Sequence, residues 1–148
     1  MPEPRRAVID STVLVSAFLT EGGVSAELLR FAREGVFLVF LSEDILTETE
    51  HTLGYERIHA RYTYTDDDVA DFLNRLRIAV TLVDELPHVT VVRDANDDMV
   101  LATAQRAQAA YIVTRDRDLL TLQQYEDITI ITPEAFIAIV RERGGLNP

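Results

Sequence analysis

The chain contains no cysteine, which excludes a disulfide framework and any thiolate metal site and leaves the redox compartment open. No charged-then-apolar leader opens it, and no apolar run approaches the roughly 20 residues that span a bilayer. The expectation is therefore a cytoplasmic, soluble protein without a membrane partner. Linkers, internal repeats and low-complexity tracts are also missing, so the 148 residues read as one domain over 1–143, followed by a Gly-Gly-Leu-Asn-Pro tail at 144–148 expected to fray. Positive charge is scarce: 14 bases against 25 acids leave a net charge of −11 and a pI near 4.6. That field is a poor one for collecting nucleic acid and argues against a passive nucleic-acid-binding module. It leaves room for an enzyme that meets phosphates through bound cations and a few local arginines, and it suits a basic partner segment. No Gly-x-Gly-x-x-Gly follows the first apolar run, which counts against a dinucleotide-binding fold. His51, His59 and His88 show no ligand spacing and read as surface or loop residues.

What is present is a globular composition, 47% apolar, in which short strand-like and helix-like runs alternate. Strands are expected at 5–10, 36–41, 80–83, 111–113 and 128–131. The run at 36–41 is apolar throughout, as in parallel strands covered on both faces. Helices are expected over 13–19 and 25–34, with Gly35 as a stop, and from a Ser42 cap to Leu53, with Gly54 ending it. The segment 55–64 reads as a short helix plus a turn, and Thr65-Asp66-Asp67-Asp68 as a capping-box-like start to a helix ending near Ala79. A loop follows at 87–93. Asp97 or Asp98 is expected to open an alanine-rich helix running through Ala110, a short helix to hold Leu119, Leu120 and Leu122, and Thr132-Pro133 to start the last one. Such alternation indicates an α/β fold: a central five-stranded parallel sheet flanked by helices in three layers.

Three acidic signatures fall at strand ends or helix starts: Ile9-Asp10-Ser11-Thr12, Asp94-Ala95-Asn96-Asp97-Asp98 and Thr114-Arg115-Asp116-Arg117-Asp118. In a parallel sheet these places face one crevice, so Asp10, Asp98 and Asp116 are expected at the same sheet edge. Converging carboxylates repel one another unless a cation lies between them. Each signature also has a plainer reading. Asp10 caps the next helix; Asp97 and Asp98 complement a helix dipole and cap its free amides, a purpose Asp94 and Asn96 could also serve; Asp116 and Asp118 belong to a capped turn. Thr114 can orient a neighbouring carboxylate through its hydroxyl. Glu48 and Glu50 both flank the apolar stripe of Ile45, Leu46, Thr49 and Leu53, so helical geometry does not choose between them. What favours a metal is the joint placement of the three signatures. The clustered ligands are all oxygens, which points to Mg²⁺ or Mn²⁺ rather than Zn²⁺.

These residues carry a resemblance. The run from Ile9 to Ala17 resembles the opening of PIN-domain proteins, whose usual Asp-Thr-Asn reads Asp10-Ser11-Thr12 here. The stretch from Leu41 to Glu48 is similar to the helix bearing their second acid. The segments at Asp94–Asp98 and Ile112–Leu120 are similar to their third and fourth motifs, and Ile131–Phe136 to a common closing segment. Among such proteins the chain looks closest to the VapC-like toxins of bacterial toxin–antitoxin pairs. The resemblance implies a Rossmann-like PIN fold and a metal-dependent endoribonuclease. Carried over by position, Asp10, Glu48, Asp98 and Asp116 match the four acids, with Asp97 and Asp118 as further metal supports and Ser11, Thr12 and Thr114 supporting. Thr12 keeps an oxygen where the family has an asparagine but lacks the amide. The implied partners are an RNA substrate, a cognate antitoxin and a second copy of the chain. Arg115 and Arg117, the bases nearest an acidic motif, are candidates for meeting RNA, against a reading as solvated surface charges. Dimer contacts would come from Leu28-Leu29-Phe31, which also suit a core, or from the 55–64 segment. Two alternatives remain: a non-catalytic PIN-fold interaction module, and a haloacid-dehalogenase-like phosphatase. The phosphatase would want a second aspartate where Thr12 stands.

Overall fold

Arg6–Ile9 forms strand β1, in which Ala7, Val8 and Ile9 are all fully buried. Successive strand residues face opposite sides of a sheet, so both faces of β1 are covered and the fold has helical layers on each side. A computed structural model describes residues 4–143, and the tail at 144–148 lies outside them. After β1 come helix α1 (Ser11–Leu19), helix α2 (Val24–Arg33), strand β2 (Leu38–Leu41) and helix α3 (Glu43–Leu53). Next are α4 (Glu56–His59), α5 (Asp66–Ala79), strand β3 (Thr81–Leu82) and α6 (Ala95–Ala107). The chain closes with β4 (Tyr111–Val113), α7 (Arg117–Leu122), β5 (Gln124–Tyr125), β6 (Ile128–Ile131) and α8 (Pro133–Arg143).

Local signals set most of these boundaries. Gly35 has φ +79°, and Val36 and Gly35 donate back to Phe31 and Ala32, the paired bonds that close a helix on a left-handed residue. Thr65 and Asp68 exchange backbone and side-chain hydrogen bonds, so the expected capping box does start α5. Two expectations are corrected. Asp94, not Asp97 or Asp98, caps α6 by accepting from the Asn96 amide, because its short side chain reaches the free N–H groups one turn earlier. The same helix ends at Ala107, where Gln108 turns left-handed at φ 53°, rather than continuing to Ala110. These shifts place Asp97 and Asp98 in the first turn of α6 instead of ahead of it.

The sheet order is β3-β2-β1-β4-β6-β5. The five expected strands run parallel, with Val8 beside Phe40 on one side and Ile112 on the other. A sixth strand was not legible: β5 pairs antiparallel with β6 through a two-residue hairpin in which Glu126 takes φ 51°. Two residues of strand carry no periodicity. From β1 the chain moves outward to β2 and β3, then crosses back to β4 on the far side of β1. The β1–β4 boundary is therefore a topological switch point, where a crevice opens beyond the carboxyl ends of the strands. Among the described residues no single helix is long and apolar enough to cross a membrane.

Candidate metal centre

Asp10 leaves the end of β1 and caps α1. Its Oδ1 accepts from the Ser11 amide at 2.8 Å, and its Oδ2 accepts from the hydroxyls of Thr12 at 2.8 Å and Thr114 at 2.7 Å. Asp10 thus caps α1 and also lines the acidic crevice. Each threonine hydroxyl, while donating to Asp10, accepts from a backbone amide of the loop after β4: Thr114 from Asp116 at 2.9 Å, Thr12 from Arg115 at 3.1 Å. Two side chains thereby bolt the β4 loop to the β1 carboxylate. Burial pushes the Asp10 carboxyl above its ordinary range; the hydrogen bonds from Thr114, Thr12 and Ser11 pull it back, and the nearby charge of Asp116 adds to the rise.

Asp116 caps α7 and accepts from the Asp118 amide at 2.8 Å, which folds Asp118 back beside it. Asp97 comes from the first turn of α6 and is only 5% exposed. One carboxylate oxygen each from Asp97, Asp116 and Asp118 lies within 4.8 Å of the others. The Asp97 carboxyl is pushed up to about 7, first by burial, then by the charge of Asp116 and a shared hydrogen bond with it, with Asp94 and Asp10 adding repulsion. Its Oδ2 is buried and has no hydrogen-bond partner. The arginines that form ion pairs among the described residues meet Glu27, Glu34, Glu43 and Glu134, none of which belongs to this cluster.

Asp10, Asp97 and Asp116 line a crevice of about 310 Å³, whose α3 wall carries Glu48 and Thr52, while Asp118 is exposed and does not line it. The structure separates the two glutamates that the helical pattern left equivalent. Glu48 is half-buried and lines the crevice; Glu50 is exposed and does not. Ser11 and Thr12 line it too, as do Asp94 and Asn96, which were not singled out as ligands in the sequence.

Asp98 does not join this group. Its Oδ1 accepts from the amides of Val91 and Val92 at 2.9 and 2.7 Å, and it lines a separate hollow beside the 86–93 loop. Consecutive residues of a helix point about 100° apart, so only one of Asp97 and Asp98 can face the crevice, and it is Asp97. Asp97, expected as a support, is the crevice acid, and Asp98, expected among the four acids, instead anchors the preceding loop to α6. Arg115 gives its guanidinium to Glu134 in a two-pronged ion pair at 2.8 and 3.2 Å, while Arg117 is exposed at the start of α7. The three histidines are exposed and away from the crevice; His59 stacks on Tyr64 at 4.4 Å.

An all-oxygen donor set with one buried, unpartnered carboxylate oxygen and no neutralising base fits a hard divalent cation. A doubly wound sheet presenting that set at its switch point defines an α/β protein built around an acidic crevice whose donors suit a metal. The chain belongs to the PIN-domain family: the family model described as "PIN domain" matches residues 6–118. PIN domains are generally nucleases and typically use divalent metals. A protein of Methanocaldococcus jannaschii, described as uncharacterized, is 24% identical over 143 residues, covering 89% of each chain.

Proposed function

We propose that this protein is a Mg²⁺- or Mn²⁺-dependent endoribonuclease of the VapC-like kind, the toxin of a toxin–antitoxin pair. The observation that carries the nuclease reading is the gathering of Asp97, Asp116 and Asp118 within 4.8 Å, with a buried, unpartnered Asp97 oxygen and Asp10 beside them. Asp10, Asp97 and Asp116 would hold the cation, with Glu48 and Asp118 completing the set. When bound, a divalent cation neutralises the carboxylates, polarises a phosphodiester and lowers the pKa of water.

The chain's own residues supply the rest. Thr12 and Thr114 hold Asp10 in one rotamer and tie it to the loop that presents Asp116, so two acids from different strands keep a constant separation without substrate. Thr12 thus takes up the anchoring that the missing asparagine would perform, which supports an active enzyme over a non-catalytic module. Burial and the charge of Asp116 raise the Asp97 carboxyl to about 7, so a bound cation would favour its ionised form. Glu48 faces the cluster from the α3 wall, where it can orient water or take a proton from it. The toxin assignment, the antitoxin and the homodimer rest on the sequence resemblance.

The test is cleavage of single-stranded RNA by purified protein with Mg²⁺, with Mn²⁺ and with EDTA, beside Asp10→Asn. We expect cleavage only with metal, and a loss of at least about 100-fold in the variant, the scale on which electrostatic catalytic groups act. Cleavage unaffected by EDTA, or equal in Asp10→Asn, would refute the reading.

A further inference from the structure

Among the described residues no arginine, lysine or histidine lines the acidic crevice. A bound cation aside, the donors it can offer a phosphate oxygen are neutral: the hydroxyls of Ser11, Thr12 and Thr52, the Asn96 amide, and the backbone amides that open α1. Most of these are spent. The Thr12 hydroxyl donates to Asp10 at 2.8 Å, and the Thr52 hydroxyl donates to the Glu48 carbonyl one turn earlier at 3.0 Å. Asn96 is exposed, so water competes for its amide. Ser11 differs. It is only 9% exposed, and its hydroxyl has no hydrogen-bond partner among the described residues. The fully buried polar side-chain atoms without a partner are Ser25 Oγ and Asp97 Oδ2. Ser11 Oγ is not one of them, so it keeps access to open space, and the space that Ser11 lines is the crevice.

This hydroxyl is left over for a structural reason. Asp10, its neighbour in sequence, has both oxygens occupied: Oδ1 by the Ser11 amide, Oδ2 by the hydroxyls of Thr12 and Thr114. Ser11 Oγ therefore stands in an acid-rich crevice with its proton uncommitted, available to an acceptor that comes from outside. A second donor lies beside it. Of the first amides of α1, Ser11 donates to Asp10 Oδ1, and Val13 and Leu14 donate to the Asp10 carbonyl. The Thr12 amide has no acceptor among the described residues. First-turn amides carry the positive end of the helix dipole, and this end of α1 opens on the crevice. We propose that the Ser11 hydroxyl, with the Thr12 amide beside it, is the donor pair that grips a non-bridging oxygen of the scissile phosphodiester and holds its charge during hydrolysis. This rests on the nuclease reading above, and it names the protein groups that touch the reacting phosphate. In that step a water oxygen bonds to phosphorus, and the bond to the leaving sugar oxygen breaks with its electron pair staying on that oxygen. Glu48 takes one proton from the water, the leaving oxygen gains one from solvent, and Ser11 keeps its own. Donors fixed in place before the reaction stabilise such charge without having to reorganise.

The experiment compares wild type with Ser11→Ala, which removes the hydroxyl, and Ser11→Thr, which keeps it; thermal melts confirm that each is folded. The readouts are kcat and KM for RNA cleavage in Mg²⁺, the Mg²⁺-induced rise in Tm, and calorimetric binding of orthovanadate in Mg²⁺. Vanadate is an oxyanion that imitates a phosphoryl group in transfer, and it reports on the donors without turnover. We expect Ser11→Ala to lose at least about tenfold in kcat, with KM within about threefold of wild type, as for a donor that acts on charge developing in the transition state. Its vanadate affinity should fall at least about fivefold, since a transition-state mimic uses the same donors. Its Mg²⁺-induced rise in Tm should match wild type, because Ser11 meets substrate and not metal. Ser11→Thr should recover all three quantities to within about threefold. If wild type cleaves RNA with metal while Ser11→Ala keeps its kcat and its vanadate affinity, the donor pair is refuted and the nuclease reading stands. Loss of the Mg²⁺ response in Ser11→Ala would make Ser11 part of the metal site and overturn the proposal. An equal loss in Ser11→Thr would show that shape and not the hydroxyl matters, and would also overturn it. If wild type cleaves no RNA, the proposal falls together with the nuclease reading.

Discussion

Replacing Asp97 with asparagine should stabilise the metal-free protein at alkaline pH while removing most of its response to metal. In the folded chain the Asp97 carboxyl titrates at about 7 against an ordinary 3.8. A carboxyl whose folded value is raised binds its proton more tightly folded than unfolded. Its stabilising proton is therefore fully in place below pH ~4 and is lost as pH rises through ~7. At about 1.4 kcal/mol per pH unit, the gap amounts to roughly 4 kcal/mol of destabilisation at pH 8. Asparagine has nearly the same shape, carries no charge, and places a donor where Asp116 can accept. Some of the gain is offset by imperfect hydrogen bonding of the new amide. In EDTA at pH 8 we expect Asp97→Asn to be roughly 2–4 kcal/mol more stable than wild type, a rise of about 5–15 °C in Tm for a chain of this size. At pH 4 the two should agree within about 1 kcal/mol. Saturating Mg²⁺ should then close most of that gap, since a cation at a hundred times its dissociation constant adds about 2.7 kcal/mol to wild type and little to the variant. Urea unfolding followed by circular dichroism, at pH 4 and 8 with and without Mg²⁺, measures all four quantities. An equal effect at both pH values, a loss of stability at pH 8, or an undiminished Mg²⁺ response would each break the argument.

Three further outcomes follow from the same geometry. Asp98→Asn weakens two charge-assisted bonds to Val91 and Val92 and should cost about 1–3 kcal/mol while leaving the Mg²⁺-induced rise in Tm intact; loss of that rise would return Asp98 to the metal site. Glu48→Gln should reduce RNA cleavage by at least about tenfold and Glu50→Gln should leave it unchanged, as read from initial rates on one substrate. Thr114→Val severs the bridge from Asp10 to the Asp116 amide and should destabilise by about 1–3 kcal/mol and weaken Mg²⁺ binding in calorimetry, with Thr114→Ser restoring both; a valine variant that binds Mg²⁺ normally would show that the bridge does not position the acids.

Much of this protein is written locally. Buried apolar runs such as Ala7-Val8-Ile9, the glycine stop at Gly35 and the capping box at Thr65 and Asp68 depend on neighbours within a few residues, so they are readable from order alone and carry the alternation that defines a parallel sheet. The places of Asp10 and Asp116 follow from that alternation, because residues leaving adjacent parallel strands must emerge at one edge. Direction around a helix is a different matter. Whether Asp97 or Asp98 faces the crevice depends on where α6 begins and how it lies against β1. A one-residue difference rotates a side chain by about 100°, and the cap at Asp94 that sets the phase competes with several equally acidic neighbours. Glu48 and Glu50 pose the same problem on α3, settled by what packs beside them. The two-residue strand β5 and the pairing of Arg115 with Glu134 join segments through space with no periodic trace. The sequence by itself therefore determined the parallel strands, their acidic edge and the all-oxygen chemistry of the cluster, since those rest on local periodicity and residue type. Only the tertiary structure decided which carboxylates share one volume, because that depends on the rotation and contact of elements far apart in the chain.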